Sequence, residues 1–309
     1  MPPLDRLCRA FLPAFFLLPG AFATVGAAVP HHDRVVVVIM ENKSYDEVRT
    51  QPYTASLISA GAVFTQSFAT NHPSQPNYFV LWAGSTLGVT NDNCPAPGTP
   101  FSAENLGHAC EAAGLTWRAY SENLAVAGGI ACSYDGNTST GLYTRKHDPW
   151  TCFVNLDHSR ERPYADLATD IAGGTLPNLV FVIPNNCHNT HNSSTPGCGV
   201  ANGDAWLAAN LPAIRGALGP KGLLILTWDE DDSSAGNHIL TVFAGPLVVP
   251  GAVSTRTITH YTVVRTICDV LGLTPFAGAA TATPIDDVWL SATTGAHGPS
   301  WGRIKLIYR

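Results

Sequence analysis

The chain has 309 residues, 45% of them hydrophobic and 13% charged, with 17 Lys and Arg against 23 Asp and Glu for a formal net charge of −6. That length can bury a full core in one large α/β domain or two small ones, and 28 Gly with 23 Pro point to a compact, loop-rich enzyme rather than a coiled or disordered chain. Mild acidity without a Lys/Arg cluster speaks against nucleic-acid binding, because nothing in the chain could track a phosphate backbone.

At the N-terminus Arg6 and Arg9 precede a short apolar run, 10–18, and small residues follow from 20 to 28, the layout of an export signal. The run is too short to cross a bilayer comfortably. Residues 1–28 are read as a signal peptide cleaved near Ala28, with Ala23 as an alternative point and an uncleaved lipid-associated anchor as the minority reading. Residues 29–309 are read as a catalytic domain with no integral membrane segment. The expected location is secreted or periplasmic. Cys8 lies within the signal, and the other seven of the 8 cysteines read as disulfide formers in an oxidising compartment. Local pairing would join Cys94 to Cys110, Cys132 to Cys152 and Cys187 to Cys198, leaving Cys268 free, although spacing alone does not determine connectivity.

Three segments, 34–40 (RVVVVIM), 178–183 (NLVFVI) and 222–228 (GLLILTW), are unbroken aliphatic runs of the kind a parallel strand shows when both sheet faces are covered. Helical stretches are expected at 77–84, 103–113 and 204–216, a further strand at 238–244, and a helix over 261–271 that stops at Gly272. Strands alternating with helices imply an α/β fold with a mostly parallel sheet. Each buried run ends in polar groups: Glu41-Asn42 after the first, PNNCHNTH after the second, and Asp229-Glu230-Asp231-Asp232 after the third. Ligands of open α/β sheets bind at the carboxyl ends of the strands, so three such endings point to one site.

Ser74, flanked by Pro73 and Pro76, opens an apolar helical run. A serine there can simply cap a helix. The same place also offers an anion the helix N-terminus and its dipole. A divalent metal can activate such a serine without a neighbouring histidine. Glu41, Asn42, Asp229 and Glu230 are the candidate ligands, an oxygen-rich set suited to Mg, Ca or Mn and less clearly to Fe or Zn. His72, His191 and His260 are candidates to protonate a leaving alcohol. No GxSxG elbow is present, against a lipase-type hydrolase, and no GxxxxGK[ST] or strand-following GxGxxG cradles a nucleotide.

VVVVIMENKSYDEV resembles the opening signature of the bacterial phosphoesterase family of acid phosphatases and phospholipases C, and HPSQPNY, GDAWL, TWDEDD and THYTVVRTI resemble its later blocks in order. The resemblance spans about residues 34 to 270. That family belongs to the alkaline-phosphatase-like superfamily, which implies a mostly parallel central sheet sandwiched by helices. It also implies Ser74 as nucleophile, Glu41, Asn42, Asp229 and Glu230 as metal ligands, and His191 and His260 near a second metal site. Softer matches place His72, Asn91 and His147 at the site, with His147, in TRKHDPW, and Asn91 contacting substrate. Alkaline phosphatases proper carry Asp at the Glu41-Asn42 pair and Asp-His at Asp229-Glu230. Asn185 stands where an Asp would be expected, and these departures favour one oxygen-rich metal over two zincs.

The expected function is therefore metal-dependent hydrolysis of phosphate esters, acid phosphatase-like, through a phosphoserine, on a small-molecule or lipid substrate. The alternatives are a phospholipase C acting on phosphodiester lipids and, in another class, a catalytically silent metal- or glycan-binding module.

Overall fold

The structure, a computed structural model, describes residues 29–137, 141–192 and 195–290. The expected signal segment, with Cys8, lies outside them. From the N-terminal side the elements are β1 (Arg34–Met40), α1 (Tyr45–Val48), α2 (Pro52–Ala60), β2 (Ala62–Phe68), α3 (Ser74–Ala83), α4 (Leu106–Ala112) and β3 (Trp117–Ser121). There follow β4 (Glu161–Pro163), α5 (Ala165–Ala172), β5 (Leu179–Ile183), α6 (Val200–Gly216), β6 (Gly222–Trp228), β7 (His238–Ala244), β8 (Ala252–Thr259) and α7 (His260–Leu271).

The strands form one sheet in the order β4-β3-β5-β1-β6-β7-β2-β8. Every pairing is parallel except those of β7, which runs against both β6 and β2. Alternation along β1 shows why its run is unbroken. Val35, Val37 and Ile39 enter a core shared with residues of α3, α4 and α7, while Val36, Val38 and Met40 enter a second core with α2 and α6. Both faces are covered, so each position after Arg34 is buried. The first core is heavily aromatic: Trp82 of α3 meets Trp117, Trp150 and Phe181 at centroid separations of 5.0, 5.5 and 5.4 Å. Truncating Trp82 to Ala would cost about 3–5 kcal/mol.

β1, β6 and β7 have the expected bounds, and β5 starts one residue later, at Leu179. β2, β3, β4 and β8 had no clear sequence signal. β8 (AVSTRTIT) is an edge strand that alternates exposed and buried positions, so its sequence carries Ser, Thr and Arg instead of an apolar run. Disulfides join Cys94 to Cys132 and Cys187 to Cys198. The last of the locally expected pairs is present; the pairs Cys94–Cys110 and Cys132–Cys152 are not. Cys110, Cys152 and Cys268 are free and buried, packed as apolar groups in the first core. No helix among the described residues is long and apolar enough to cross a membrane.

Candidate active site

Chain geometry delivers the site to one edge. β1, β2, β5, β6 and β8 point the same way, so the segments leaving their carboxyl ends meet there. Ser74, the first residue of α3, is 1% exposed. Its hydroxyl donates to Glu41 Oε1 at 2.8 Å and lies 2.9 Å from Glu230 Oε1 and 3.4 Å from Asn42 Oδ1. Asn42 takes a left-handed conformation, φ 52°, which turns its backbone N–H toward Asp229 Oδ1 at 3.2 Å. Five of the sequence candidates thus stand together: Glu41, Asn42, Ser74, Asp229 and Glu230.

The approach to Ser74 is braced from behind. The Asn77 amide oxygen accepts the backbone N–H of Asn71 at 3.0 Å, and its amide nitrogen donates to Asn71 O at 2.9 Å, folding the 69–73 loop against α3. Asn237 donates to the same Asn71 carbonyl at 2.9 Å, joining that loop to the acidic one. The helix N-terminus itself offers an anion less than expected. The Gln75 N–H is directed to Asp92 Oδ1 at 2.9 Å, and Pro76 has no N–H to offer.

Electrostatics divide the carboxylates. Burial would raise Glu41, but the neighbouring His147, Lys146 and His191 reverse this and hold it well below the usual carboxylate range. Asp229 goes the other way, pushed well up by burial and by the like charges of Glu41 and Glu230. Burial pushes Glu230 to about 7 against the opposing pull of Ser74 and His72. Asp229 Oδ2 is buried without a hydrogen-bond partner. An orphaned carboxylate oxygen, a second carboxylate driven toward protonation and two neutral oxygen donors, Asn42 and Ser74, fit a hard divalent cation. Among the described residues no three His, Cys, Asp or Glu side chains stand at ready ligand spacing. The donors that converge are carboxylates supplemented by an amide and a hydroxyl.

The histidines separate into different places. His72, with its side chain 37% exposed, sits 2.7 Å from Glu230 Oε2 and 3.1 Å from Asp231 Oδ1. His191 places Nε2 4.0 Å from Glu41 Oε1 and turns Nδ1 to Asn192. It shares with Asn42, Lys43, Glu230 and Asp231 an open cleft of ≈ 360 Å³. His147 is buried, its Nε2 2.8 Å from Glu41 Oε2 and its ring stacked 4.8 Å from Tyr78. His260 is 1% exposed, with Nε2 2.6 Å from the Asp229 carbonyl oxygen, and burial lowers it to about 4. A neutral ring in that position donates from Nε2 and braces the Asp229 backbone from below. The Asn91 side chain accepts from Asn93 N across an exposed turn, and none of its hydrogen bonds reaches Ser74 or Glu41.

Four residues of the site were not foreseen. Asn189 donates to Glu41 Oε2 at 2.9 Å, and its carbonyl receives the Glu41 N–H at 2.8 Å. Thr190 donates to Glu41 O at 2.6 Å from a left-handed backbone, φ 85°, that β-branched residues seldom adopt. Lys146, 4% exposed, lies 2.8 Å from Asp92 Oδ2 and 3.5 Å from Glu41 Oε1. Asp92 is the fourth. Asn185 organises its own turn, accepting from the backbone of Cys187 and His188, while its N–H bonds Glu122. Sequence could have flagged Asn189 through the Asn density after β5 and Lys146 through its place beside His147; Asp92 carries no such signal.

The sequence profile of the Phosphoesterase family matches residues 47–274. A Mycobacterium tuberculosis protein named phosphatidylinositol-3-phosphatase is 38% identical over 301 residues, covering 93% of this chain and 96% of that protein. An Aspergillus fumigatus acid phosphatase is 27% identical over 252 residues, 78% of this chain, and the match spans only 55% of the fungal protein's length. Among solved structures, an alkaline phosphatase superfamily protein from Vibrio parahaemolyticus superposes with a TM-score of 0.60 at 13% identity, covering 85% of this chain and 74% of that one. Murine ectonucleotide pyrophosphatase/phosphodiesterase 5 gives 0.54 at 12%, covering 84% and 100%. At these identities the structural likeness concerns the fold.

Proposed function

The chain belongs to the Phosphoesterase family and is a phosphoric ester hydrolase, and from that premise we propose that it is an exported phosphatase of phosphate monoesters with Ser74 as its nucleophile. One observation carries the reading: the Ser74 hydroxyl is held between the carboxylates of Glu41 and Glu230, at 2.8 and 2.9 Å. A serine that only capped its helix would turn to the N–H groups of its own first turn. This one turns outward to two acids.

Glu41, Asn42, Asp229 and Glu230 are the residues that would hold a divalent cation. When bound, such a cation supplies Lewis-acid charge that favours the serine alkoxide and neutralises phosphoryl oxygens. The chain's own residues do the rest. Glu41 and Glu230 orient Ser74 Oγ and lie ready to take its proton. Oγ attacks phosphorus, the bond to the leaving oxygen breaks, and a phosphoserine forms that water then cleaves. His72 is partly exposed, with its ring against Glu230 and Asp231. It is placed to give the leaving oxygen a proton, a role that His260, buried beneath Asp229, is not placed to share. His147 and Asn189 fix the second oxygen of Glu41, so that the first remains aimed at Ser74.

The two disulfides and the N-terminal pattern support export. A second reading, action on a lipid phosphate, rests on the name of the mycobacterial relative. Kinetics of Ser74→Ala on an aryl phosphate, with acid-trapped phosphoprotein as a second readout, test the central assignment. Turnover and labelling should both vanish while metal binding persists; full activity would overturn it.

A further inference from the structure

We propose that Lys146 makes the site selective for phosphate monoesters over diesters, its ammonium balancing the second negative charge of a dianionic phosphoryl group. The inference rests on the reading of Ser74 as nucleophile and goes beyond it to the substrate's charge.

Lys146 and Ser74 address the same atom. Glu41 Oε1 accepts the Ser74 hydroxyl at 2.8 Å and lies 3.5 Å from Lys146 Nζ. The ammonium therefore flanks the nucleophile across one oxygen. It arrives there from the short 3-10 turn Arg145–His147, packed against α3, and is 4% exposed. An ammonium has three protons. One is donated to Asp92 Oδ2 at 2.8 Å, and Glu41 Oε1 lies at ion-pair distance, 3.5 Å, so the ammonium keeps donor capacity for a phosphoryl oxygen.

The surroundings make that charge matter. Glu41 and Glu230 flank Ser74, Asp229 follows on the other side of Asn42, and Asp92 stands behind Lys146. A site so rich in carboxylates repels an anion in proportion to its charge. The usual alternative is weak here, because the Gln75 N–H is held by Asp92 and Pro76 supplies none. A monoester carries close to two negative charges above pH 7 and a diester one. Loss of a fixed buried cation should therefore penalise the monoester far more.

The test compares p-nitrophenyl phosphate with bis-p-nitrophenyl phosphate at pH 7.5, which keeps the leaving group constant. Lys146→Gln should lower kcat/KM for the monoester by about 100-fold, the scale of one fixed charge-stabilising group in a water-excluded site. The diester should lose at least about tenfold less than the monoester, and inhibition by orthophosphate should weaken with the monoester. Lys146→Arg should keep the wild-type ratio. Equal losses on both esters, or no change in either, would overturn the inference. Should the Gln variant fail to fold, Asp92→Asn approaches from the other side. With one carboxylate fewer on the ammonium, orthophosphate should inhibit at lower concentration; unchanged or weaker inhibition overturns it. An unchanged ratio in an active enzyme defeats this inference alone, whereas activity in Ser74→Ala defeats the reading beneath it.

Discussion

Around Ser74 two buried carboxylates accept or face a serine hydroxyl; around Ser121, at the end of β3 and two strands away from β1, a buried carboxylate does so too. There Asp148 Oδ1 accepts the Ser121 hydroxyl at 2.7 Å, and Glu161 sits nearby with His158 2.7 Å away. Burial pushes Asp148 up to about 7, much as it pushes Glu230. The difference lies in what else reaches the acids. Glu41 has Lys146, His147 and Asn189 on its oxygens and an open cleft beside Glu230. Asp148 is 1% exposed and meets the Ser121 hydroxyl, with Tyr143 and Arg145 among its other neighbours. Burial and a raised pKa do not by themselves make a site; access does.

The sharpest way to break the comparison is to truncate both serines. Ser74→Ala should cut kcat/KM on an aryl phosphate by at least about 10⁴-fold, and Ser121→Ala should leave it within about threefold. Similar losses from both would erase the distinction. Next in size, Glu41→Ala leaves Lys146 with Asp92 as its remaining carboxylate, and should lower unfolding free energy by about 3–5 kcal/mol in urea titrations.

Asp148→Asn should act in the opposite sense. The folded pKa of about 7 lies above the ordinary value of 3.8, so between these pH values the folded state keeps a proton that the unfolded state releases. Stability contributed by this group is present below pH 4 and lost as pH rises toward 7. Asn removes that loss, so the variant should gain up to about 4 kcal/mol over wild type at pH 8 and nothing at pH 3.5. A constant difference between those two pH values would contradict the assignment. Last, replacing Cys187 and Cys198 by Ala opens an 11-residue separation and should cost about 3 kcal/mol. It should also slow turnover, because the bridge closes the loop that carries Asn189 to Glu41.

How much of this was legible depended on which residues carry a pattern. β1, β5, β6 and β7 could be read because covering both faces demands an unbroken apolar run. β2, β3 and β8 escaped because polar residues interrupt them. The carboxylates that meet at Ser74 could be read because they follow those runs directly. Lys146 and Asp92 meet across more than fifty residues of chain, a contact that no local periodicity encodes. The GDAWL block had no reading from its spacing, yet its packing is now explicit. A Cβ on Gly203 would lie 2.4 Å from Thr190 Cγ2, and Asp204 accepts from Tyr53 N and Thr54 N at the start of α2. The glycine makes room for the strained threonine that holds the Glu41 carbonyl.

The reversed direction of β7 has one more consequence. Residues 229–237 leave the sheet on β6 and re-enter it on the neighbouring strand, so the acidic loop is anchored at both ends in backbone ladders. Inside it Asp231 accepts the N–H groups of Ser233, Ala235 and Asn237. Such a segment has little freedom to fray by itself. The amide hydrogens of Ser233, Ala235 and Asn237 should therefore exchange with solvent more slowly than their place at the rim of an open cleft would suggest.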